Sequence, residues 1–349
     1  MTDDRVEEII SKFLLNTCQR RQLQNNQVTN EALCSVQFAT ERSPDDDEVI
    51  LIPLTTGSIA EFYIQPMLSC VGDLDIMFHR NDELAIPAGT PPPTQLPAEF
   101  HSRVQVCDII DSEFPGYVYL MSSYLLTECS DGGNYNAAVQ RECLYLGYNM
   151  PCDMTHGPAY FSKWPIAVFT RRLAGSELSV DIVLCMRCLS WPPQAADWPT
   201  RQRNYGWPDS ATVDRVVSNG CDLVHVAHRQ CRQHDWMNTH QFRLSFSRAE
   251  VVLLNSWMPV QQIVYHVLRV IVKTERLLDI TDNTGSKIFS NYHIKTLMLW
   301  ACELKPGHWW TEDFNIVRIC VELLHTLAVW LTDARCQHFH QQLQFVRPP

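Results

Sequence analysis

The chain has 349 residues, of which 46% are hydrophobic, enough to bury one large core or two smaller ones. Its 28 basic and 39 acidic residues give a net charge of −11. That balance argues against a protein coated all over in nucleic acid, because affinity for phosphates comes largely from Lys and Arg, although a local basic patch is compatible with it.

The cysteine pattern and the termini indicate a cytoplasmic protein. The 14 cysteines are scattered singly, mostly inside apolar runs. The first residues, MTDDRVEEIISKF, carry charges from residue 3 onward and predict no signal peptide. The longest apolar run near the end, residues 323–331, is too short to span a bilayer. We expect a soluble protein with buried reduced thiols and no membrane partner.

The first half of the chain is rich in predicted strands. Apolar residues recur at helical spacing from Val6 to Leu14 and predict an amphipathic helix that extends beyond Arg21. After it, three segments show strand periodicity: EVILIPL (48–54), GDLDIMFHR (72–80) and ELSVDIVLCMRC (177–188). YVYLMSSYLL (117–126) predicts another strand, and the proline-rich residues 87–97 predict a surface loop.

The second half predicts helices. The prolines of SWPPQAADWP (190–199) mark a break in composition, and we place a domain boundary between residues 192 and 193. Beyond it, long helical patterns begin at residues 247, 260, 292 and 313. Strands followed by helices predict an α+β protein of two lobes, residues 1–192 and 193–349.

Three acids and one turn suggest a metal and phosphate site. Asp73 and Asp75 share one face of a predicted strand, which suits hard cations such as Mg²⁺ that prefer oxygen ligands. Asp181, flanked by apolar residues, needs a partner such as a metal. Asp-x-Asp alone favours a solvated strand face. The preceding turn shifts the balance, because Gly57 lets N–H groups approach a phosphate and Ser58 adds a hydroxyl donor.

Six segments in this order resemble the cyclic GMP-AMP synthase and cGAS-like receptor family, which includes the male-abnormal (Mab) developmental proteins. The similarity extends over most of the chain, with Phe242 where the family usually carries Trp. The segments are TTGSIAEF (55–62), GDLDIMF (72–78), HGPA (156–159), LSVDIVL (178–184) with the following SWPP, FRLSFSRAE (242–250) and SNYHIKTLMLWACE (290–303).

The resemblance implies a bilobal nucleotidyltransferase fold, with a mixed β-sheet lobe and N-terminal spine helix, a helical C-terminal lobe, and the active site between them. It implies that Asp73, Asp75 and Asp181 are catalytic and coordinate two Mg²⁺, which Mn²⁺ could replace. Two nucleoside triphosphates (ATP, GTP or a pyrimidine triphosphate) would be joined into a cyclic dinucleotide with release of pyrophosphate. Such a product is a second messenger of innate immune sensing.

The resemblance also implies a set of nucleotide-binding residues. Ser58 would hold terminal phosphates, Tyr292 would stack on a base, and Arg269 lies where the family often carries a phosphate-binding Lys. The whole set is Thr56, Gly57, Ser58, Arg243, Ser245, Ser247, Arg269 and Tyr292. The alternatives are a core aromatic at Tyr292, a surface cation at Arg243, and serines on the outward face of a strand.

Nucleic acid is the expected activator. The stretch VVLLNSWMPVQQIV (251–264) contains no Cys or His, whereas the DNA-sensing synthase carries a zinc-binding insertion there. Relatives without the insertion include double-stranded RNA sensors, so we expect double-stranded RNA to activate this protein, with a homodimer formed on it. Lys12, Arg20 and Arg21 lie on the helix that would contact the duplex, although a solvated helix face explains them equally well.

Two alternatives stay open. The first is a catalytically silent Mab-type binding or scaffold protein, against which the three acids argue. The second is a structural zinc, for which the ligand types are suitable but the spacing is not that of a standard finger. We favour ordinary loop and helix roles for that cluster, which consists of Cys221, His225, His228, Cys231, His234 and His240.

Overall fold

The structure is a computed structural model. It describes residues 3–17, 49–56, 73–130, 132–140, 144–147, 179–228, 230–231, 236–281, 289–311, 316–333, 335–340 and 344–346. The protein is α+β, with a mixed β-sheet lobe followed by a helical C-terminal lobe, as predicted. None of the helices in these ranges is long and apolar enough to cross a membrane.

The described strands are numbered β1 to β11 in chain order. They are β1 Leu51–Thr56, β2 Asp73–Arg80, β3 Glu83–Pro87, β4 Arg103–Asp111, β5 Tyr117–Glu128, β6 Tyr135–Val139, β7 Ser179–Cys188, β8 Cys221–His225, β9 Gln241–Ser245, β10 Arg335–Gln337 and β11 Gln344–Val346.

The described α-helices are numbered α1 to α8. They are α1 Asp3–Thr17, α2 Asp197–Thr200, α3 Ser210–Ser218, α4 Trp236–His240, α5 Ser247–Asn255, α6 Pro259–Thr274, α7 Asn291–Leu304 and α8 Ile316–Thr332. The helix α1 packs against α8 and α6, so the N-terminal helix contacts the C-terminal lobe.

Nine strands form one mixed sheet in the order β1-β2-β7-β3-β4-β5-β9-β8, with β6 paired to β5. Strand β7 is parallel to β2 and β3, and it also pairs antiparallel with β8. The pairing of β7 with β8 closes the path β7-β3-β4-β5-β9-β8 into a ring. A long β7 with partners on both edges therefore organises the sheet.

The core spans both lobes. On one face of the sheet, Met186, Leu223 and Leu244 are buried in the same cluster as residues of α5, α6, α7 and α8, including Leu253, Leu268, Leu297 and Leu323. A smaller cluster on the other side of β3 and β4 contains Leu84 and Val106. One continuous apolar core thus holds the helical lobe onto the sheet.

The sequence located the long elements and missed several short ones. The helices predicted after residue 247 are present as α5 to α8, and the predicted strands correspond to β1, β2, β5 and β7. The five-residue strands β3 and β8 and the nine-residue strand β4 were not predicted. The boundary at residues 192/193 stays a prediction, although β8 and β9, which follow it, belong to the sheet. The predicted extension of the first helix beyond Arg21 lies outside the described residues.

The cysteines in the part of the chain that the structure describes are mostly buried. All nine cysteines there are free, and six of them are buried. Burial raises the pKa of the thiols of Cys107 and Cys320, each to about 12, so both stay protonated.

The first prediction concerns the ring-closing strand β8. Leu223 is 0% exposed, so Leu223→Ala should lower the free energy of unfolding by about 2–5 kcal/mol through lost burial and a residual cavity. Val321→Ala, at an exposed position of α8, should change it by less than about 0.5 kcal/mol. Urea unfolding followed by circular dichroism measures both, and equal effects would contradict the position of Leu223 in the core.

Candidate functional site

The three predicted acids occupy neighbouring backbone positions on β2 and β7. Asp75 is the direct partner of Asp181 across the parallel pair, and Asp73 is the partner of Ser179. Opposite residues on neighbouring strands, and residues two apart on one strand, share a face of the sheet. The Cα atoms of Asp75 and Asp181 are therefore about 4.8 Å apart, and Asp73 lies about 7 Å from Asp75 along β2. The three side chains themselves lie outside the described part of the structure.

The predicted phosphate turn begins at the same end of β2. Strand β1 runs antiparallel to β2, and its last residue, Thr56, is opposite Asp75. Thr56, Asp75 and Asp181 therefore form one row across three strands. Gly57 and Ser58 follow Thr56 directly in the chain but lie outside the described residues, so their phosphate role stays a prediction.

The position of the acids suits a divalent cation. Three carboxylates at adjacent positions of one face repel one another unless a cation lies between them, and Mg²⁺ prefers such oxygen donors. The parallel pairing of β2 with β7 brings the amino ends of both strands together, which is why residues more than a hundred positions apart meet. Carboxylate oxygens are thus suitable donors for Mg²⁺ at this position.

The face that carries the acids continues onto β8 and β9. Cys185, four residues beyond Asp181, is the partner of Val224, and Val224 is the partner of Arg243. Arg243 thus shares the face of Asp181, about 13 Å along the strands and about 10 Å across them. Its backbone position is separated from the acids by roughly the extended length of a nucleoside triphosphate.

Ser245 and Ser247 lie where β9 passes into α5. Ser245 is the partner of Asp222 on β8, and Ser247 is the first residue of α5. Their hydroxyl oxygens are 3.0 Å apart, so one hydroxyl donates a hydrogen bond to the other. Both side chains are half-buried. The structure thus brings the two predicted nucleotide-binding serines into one pair, in the same part of the sheet as Arg243.

Tyr292 lies at the start of α7. His338 is a neighbour of both Tyr292 and Arg243. The ring centroid of Tyr292 is 5.8 Å from that of His338. Burial and the nearby Glu250 carboxylate raise the pKa of the Tyr292 hydroxyl, so it stays protonated at neutral pH. Glu250 itself is paired with Lys295, whose Nζ lies 2.9 Å from its Oε2 and which joins α7 to α5.

Arg269 is placed differently from the other predicted nucleotide contacts. It is 4% exposed within α6, and its guanidinium carbon lies 5.6 Å from the centroid of the Tyr265 ring. Arg269 lies inside the helical layer, where its guanidinium makes a cation–π contact with the Tyr265 ring. A phosphate contact for Arg269 stays a prediction.

Two histidines near the C-terminus adjoin this region and were not predicted as site residues. His338 and His340 are buried, and the backbone N–H of His340 donates to His338 Nδ1 at 3.2 Å. His340 stacks on Phe246 with ring centroids 4.8 Å apart, and Phe246 separates Ser245 from Ser247 in sequence. In the sequence, the only sign of these histidines is the short alternation His338-Phe339-His340 before a polar segment. Such a pattern is equally typical of a loop.

The charge state of both histidines is fixed by burial. Burial and the neighbouring Arg243 lower the pKa of His338 to about 4. Burial, then the electrostatic effect of His338, lowers the pKa of His340 well below its usual value. Both imidazoles are neutral at physiological pH. Because Nδ1 of His338 accepts a hydrogen bond, its proton lies on Nε2.

The described members of the Cys/His cluster have other contacts. His225 Nε2 lies 3.0 Å from the Thr239 carbonyl oxygen, and the His228 ring stacks on Phe114 with centroids 4.0 Å apart. Among the side chains that the structure describes, no three His, Cys, Asp or Glu form a group that could hold a metal. His234 lies outside them. These contacts account for His225 and His228, and the interpretation of the whole cluster stays a prediction.

Two regions of the chain match models of one protein family. Residues 128–256 match the Mab-21 protein nucleotidyltransferase domain, and residues 261–344 match the Mab-21 protein HhH/H2TH-like domain. The first region includes Asp181, Arg243 and the serine pair, and the second includes Tyr292. Asp73 and Asp75 precede both regions.

Curated relatives are similar at low identity. Protein male abnormal 21 of Caenorhabditis elegans is 26% identical over 170 residues, which cover 47% of this chain and 44% of that protein. Protein mab-21-like 3 of Danio rerio is 28% identical over 169 residues, which cover 47% of this chain and 38% of that protein. The matched region spans less than half the length of each of these relatives.

The second prediction concerns pH. The folded pKa values of His338 and His340 are lowered, so below pH 6.5 the unfolded chain binds protons that the folded protein does not. Stability is therefore fully present above about pH 6.5 and is lost as the pH falls toward 4, by up to about 1.4 kcal/mol per pH unit for each histidine.

His340→Phe tests this directly. The variant keeps the ring that stacks on Phe246 and removes two buried ring nitrogens that have no hydrogen-bond partner among the described atoms. The slope of unfolding free energy against pH should become shallower between pH 6.5 and 4.5. The exposed His325→Phe serves as the matched control. Urea unfolding across this pH range gives both slopes, and an unaltered slope in His340→Phe would refute the neutral, buried state.

Proposed function

The chain carries the nucleotidyltransferase and HhH/H2TH-like domains of the Mab-21 family, and we propose that it is an active, metal-dependent nucleotidyltransferase. In this proposal it joins two nucleoside triphosphates into a cyclic dinucleotide and releases pyrophosphate. The observation that carries the proposal is the register of β2 and β7, which puts Asp73, Asp75 and Asp181 at adjacent positions of one sheet face.

The acids would hold two Mg²⁺. Bound there, the ions would supply positive charge to the triphosphate and the leaving pyrophosphate. Ser58, which follows Thr56 by two residues in the chain, would donate a hydroxyl hydrogen bond to the donor's terminal phosphates. In this arrangement the carboxylates orient the reacting ends of the two nucleotides, and the sheet keeps the three acids in fixed register.

The rest of the face supports the other end of a nucleotide. Arg243 is exposed on β9 and carries only donors, so it suits carbonyl and ring-nitrogen acceptors on a base. The Ser245–Ser247 pair supplies one remaining hydroxyl donor and several acceptors. Tyr292 offers an aromatic ring beside His338, and base–aromatic stacking tolerates any base. ATP, GTP and a pyrimidine triphosphate are all compatible with these groups.

We propose double-stranded RNA as the activator. The described helix α1 has the sequence DDRVEEIISKFLLNT, with four acids and two bases, and Lys12 is paired with Glu8. A phosphate backbone needs an excess of cations, so α1 alone would bind RNA poorly. Contacts on this side would have to come from Arg20 and Arg21, outside the described residues. A homodimer on RNA and an innate immune role belong to the same proposal.

A catalytically silent binding or scaffold protein is the competing function. One observation favours it: the matched family regions contain Asp181 but neither Asp73 nor Asp75. Against it, three acids in register on one face repel one another, and a protein that binds no metal has no physical reason to keep them. Enzymatic assay distinguishes the two functions.

The third prediction is loss of synthesis when an acid is neutralised. The purified chain, incubated with radiolabelled ATP, GTP, CTP and UTP, Mg²⁺ and double-stranded RNA, should form a phosphatase-resistant dinucleotide resolved by thin-layer chromatography. Asp75→Asn and Asp181→Asn should each reduce the rate by about 10³-fold, because metal neutralisation of transition-state charge contributes several kcal/mol. Double-stranded DNA replaces RNA in a parallel reaction.

The control is Asp214→Asn, which neutralises an exposed acid of α3 and should leave the rate unaltered. If the wild-type chain forms no dinucleotide with either nucleic acid and with Mg²⁺ or Mn²⁺, the scaffold function is preferred. If the Asp75 and Asp181 variants stay active, the acids are not the catalytic site.

A further inference from the structure

A buried ion pair lies beside the Ser245–Ser247 pair. Asp222 of β8 is 0% exposed, and its Oδ2 lies 2.8 Å from Nε of Arg248 in the first turn of α5. Asp222 is the backbone partner of Ser245, and Arg248 follows Ser247 in the chain. Asp222 is thus linked to Ser245 by strand pairing, and Arg248 is linked to Ser247 as its neighbour in the chain.

Arg248 is in an unfavourable place unless it is paired. The amino-terminal end of a helix is electropositive, so a cation in the first turn works against the helix dipole. The residue that caps α5, Phe246, makes no side-chain capping hydrogen bond. Asp222 supplies a negative charge beneath this turn and compensates both the guanidinium and the helix end.

Asp222 depends on Arg248 in turn. Its other neighbour, Arg187 of β7, directs its guanidinium at backbone carbonyls, with Nη1 2.7 Å from the Cys188 oxygen and 2.8 Å from the Cys221 oxygen. Asp222 Oδ1 has no hydrogen-bond partner among the described atoms. The contact with Arg248 is therefore the hydrogen bond that a fully buried carboxylate requires.

The ion pair connects the first turn of α5, which contains Ser247, to the strand that pairs with Ser245. Ser245 is held by the ladder between β8 and β9, whereas Ser247 moves with the start of α5. The guanidinium of Arg248 fixes that first turn over β8. The two hydroxyl oxygens lie 3.0 Å apart, which lets them act as one hydrogen-bonding unit.

We propose that Asp222 and Arg248 are positioning residues that hold Ser245 and Ser247 in the geometry that binds the base of a nucleoside triphosphate. Asp222, being fully buried, does not touch the nucleotide and acts through Arg248 and the first turn of α5. This inference rests on the proposed function, because it assigns base contacts to the two serines. It adds to the proposed function the requirement that the Asp222–Arg248 ion pair be intact.

The experiment compares ligands that carry a base with a ligand that carries none. The probes are the α,β-methylene analogues of ATP and GTP, and inorganic tripolyphosphate, each with Mg²⁺, titrated by calorimetry into the full chain. Tripolyphosphate reaches the acids and carries no base. A defect in positioning the serines should weaken the nucleotide analogues alone, whereas a general loss of structure weakens both kinds of ligand.

The variants remove charge without removing length. Asp222→Asn and Arg248→Met each break the pair, the double variant leaves no lone buried charge, and Arg248→Lys keeps the positive charge. The matched control is Asp82→Asn, which breaks another Arg–Asp pair, with Arg80 Nε 2.8 Å from Asp82 Oδ1, at the bend between β2 and β3. Circular dichroism at the titration temperature confirms that each variant is folded.

The expected result is an affinity for the nucleotide analogues about tenfold lower in Asp222→Asn, Arg248→Met and the double variant, corresponding to the loss of one or two hydrogen bonds. Arg248→Lys should recover part of it, and tripolyphosphate should bind all variants within about twofold of wild type. Asp82→Asn should match wild type for both ligands.

Two results would overturn the inference while leaving the proposed function intact. One is unaltered nucleotide affinity in the folded single and double variants. The other is an equal loss for nucleotide and tripolyphosphate, which would make the ion pair purely structural. A wild-type chain that binds neither ligand would instead reject the proposed nucleotide site, and the inference with it.

Discussion

The parallel pairing of β2 with β7 is the constraint on which the candidate site depends. Parallel strands start at the same edge of a sheet, so the first residues of β2 and β7 meet although the chain between them includes four other strands. The register could not slip by one residue without moving Asp181 to the opposite face from Asp75, because side chains alternate. The pairing therefore fixes which acids share a face.

Strand β7 has a second task in the same fold. Beyond Asp181 it exchanges its partner on one edge from β2 to β3 and gains β8 on the other edge. That additional pairing carries the face of the acids onto β9, where Arg243 and Ser245 lie. A single strand thus connects the position suited to metal and phosphate with the position suited to a base, and the spacing between them is fixed by strand geometry.

The helical lobe contributes to the candidate site mainly by burying side chains beside the sheet. Tyr292 and the C-terminal histidines approach the sheet because α7 and residues 336–340 pack on the shared apolar core. Arg201 helps to secure this segment, since its guanidinium donates to the carbonyl oxygen of Phe339 and to the buried Glu303. The neutral state of His338 follows from the same packing, because a charged imidazole would be desolvated beside Arg243.

The sequence by itself determined most of the long periodic elements, and it predicted the acids of the candidate site. Asp73, Asp75 and Asp181 are recognisable because each occurs in an alternating apolar strand, where an acid needs a reason to be present. The helices α5 to α8 follow from their 3.6-residue periodicity. Short strands such as β3 and β8 gave no usable signal. All five residues of β3 are buried, and a short apolar run without alternation fits a helix or a strand equally.

Only the tertiary structure decided which residues of different elements meet, because no local sequence pattern contains that information. The opposition of Asp75 and Asp181, the placement of Arg243 on the same face, and the ion pair of Asp222 with Arg248 all join residues far apart in the chain or on different elements. Arg269 illustrates the same dependence, since the family resemblance suggested a phosphate contact there and only the fold shows that its side chain is buried beside Tyr265. Periodicity specifies the face of one element, whereas contact between elements depends on strand order, register and burial, which the whole chain sets together.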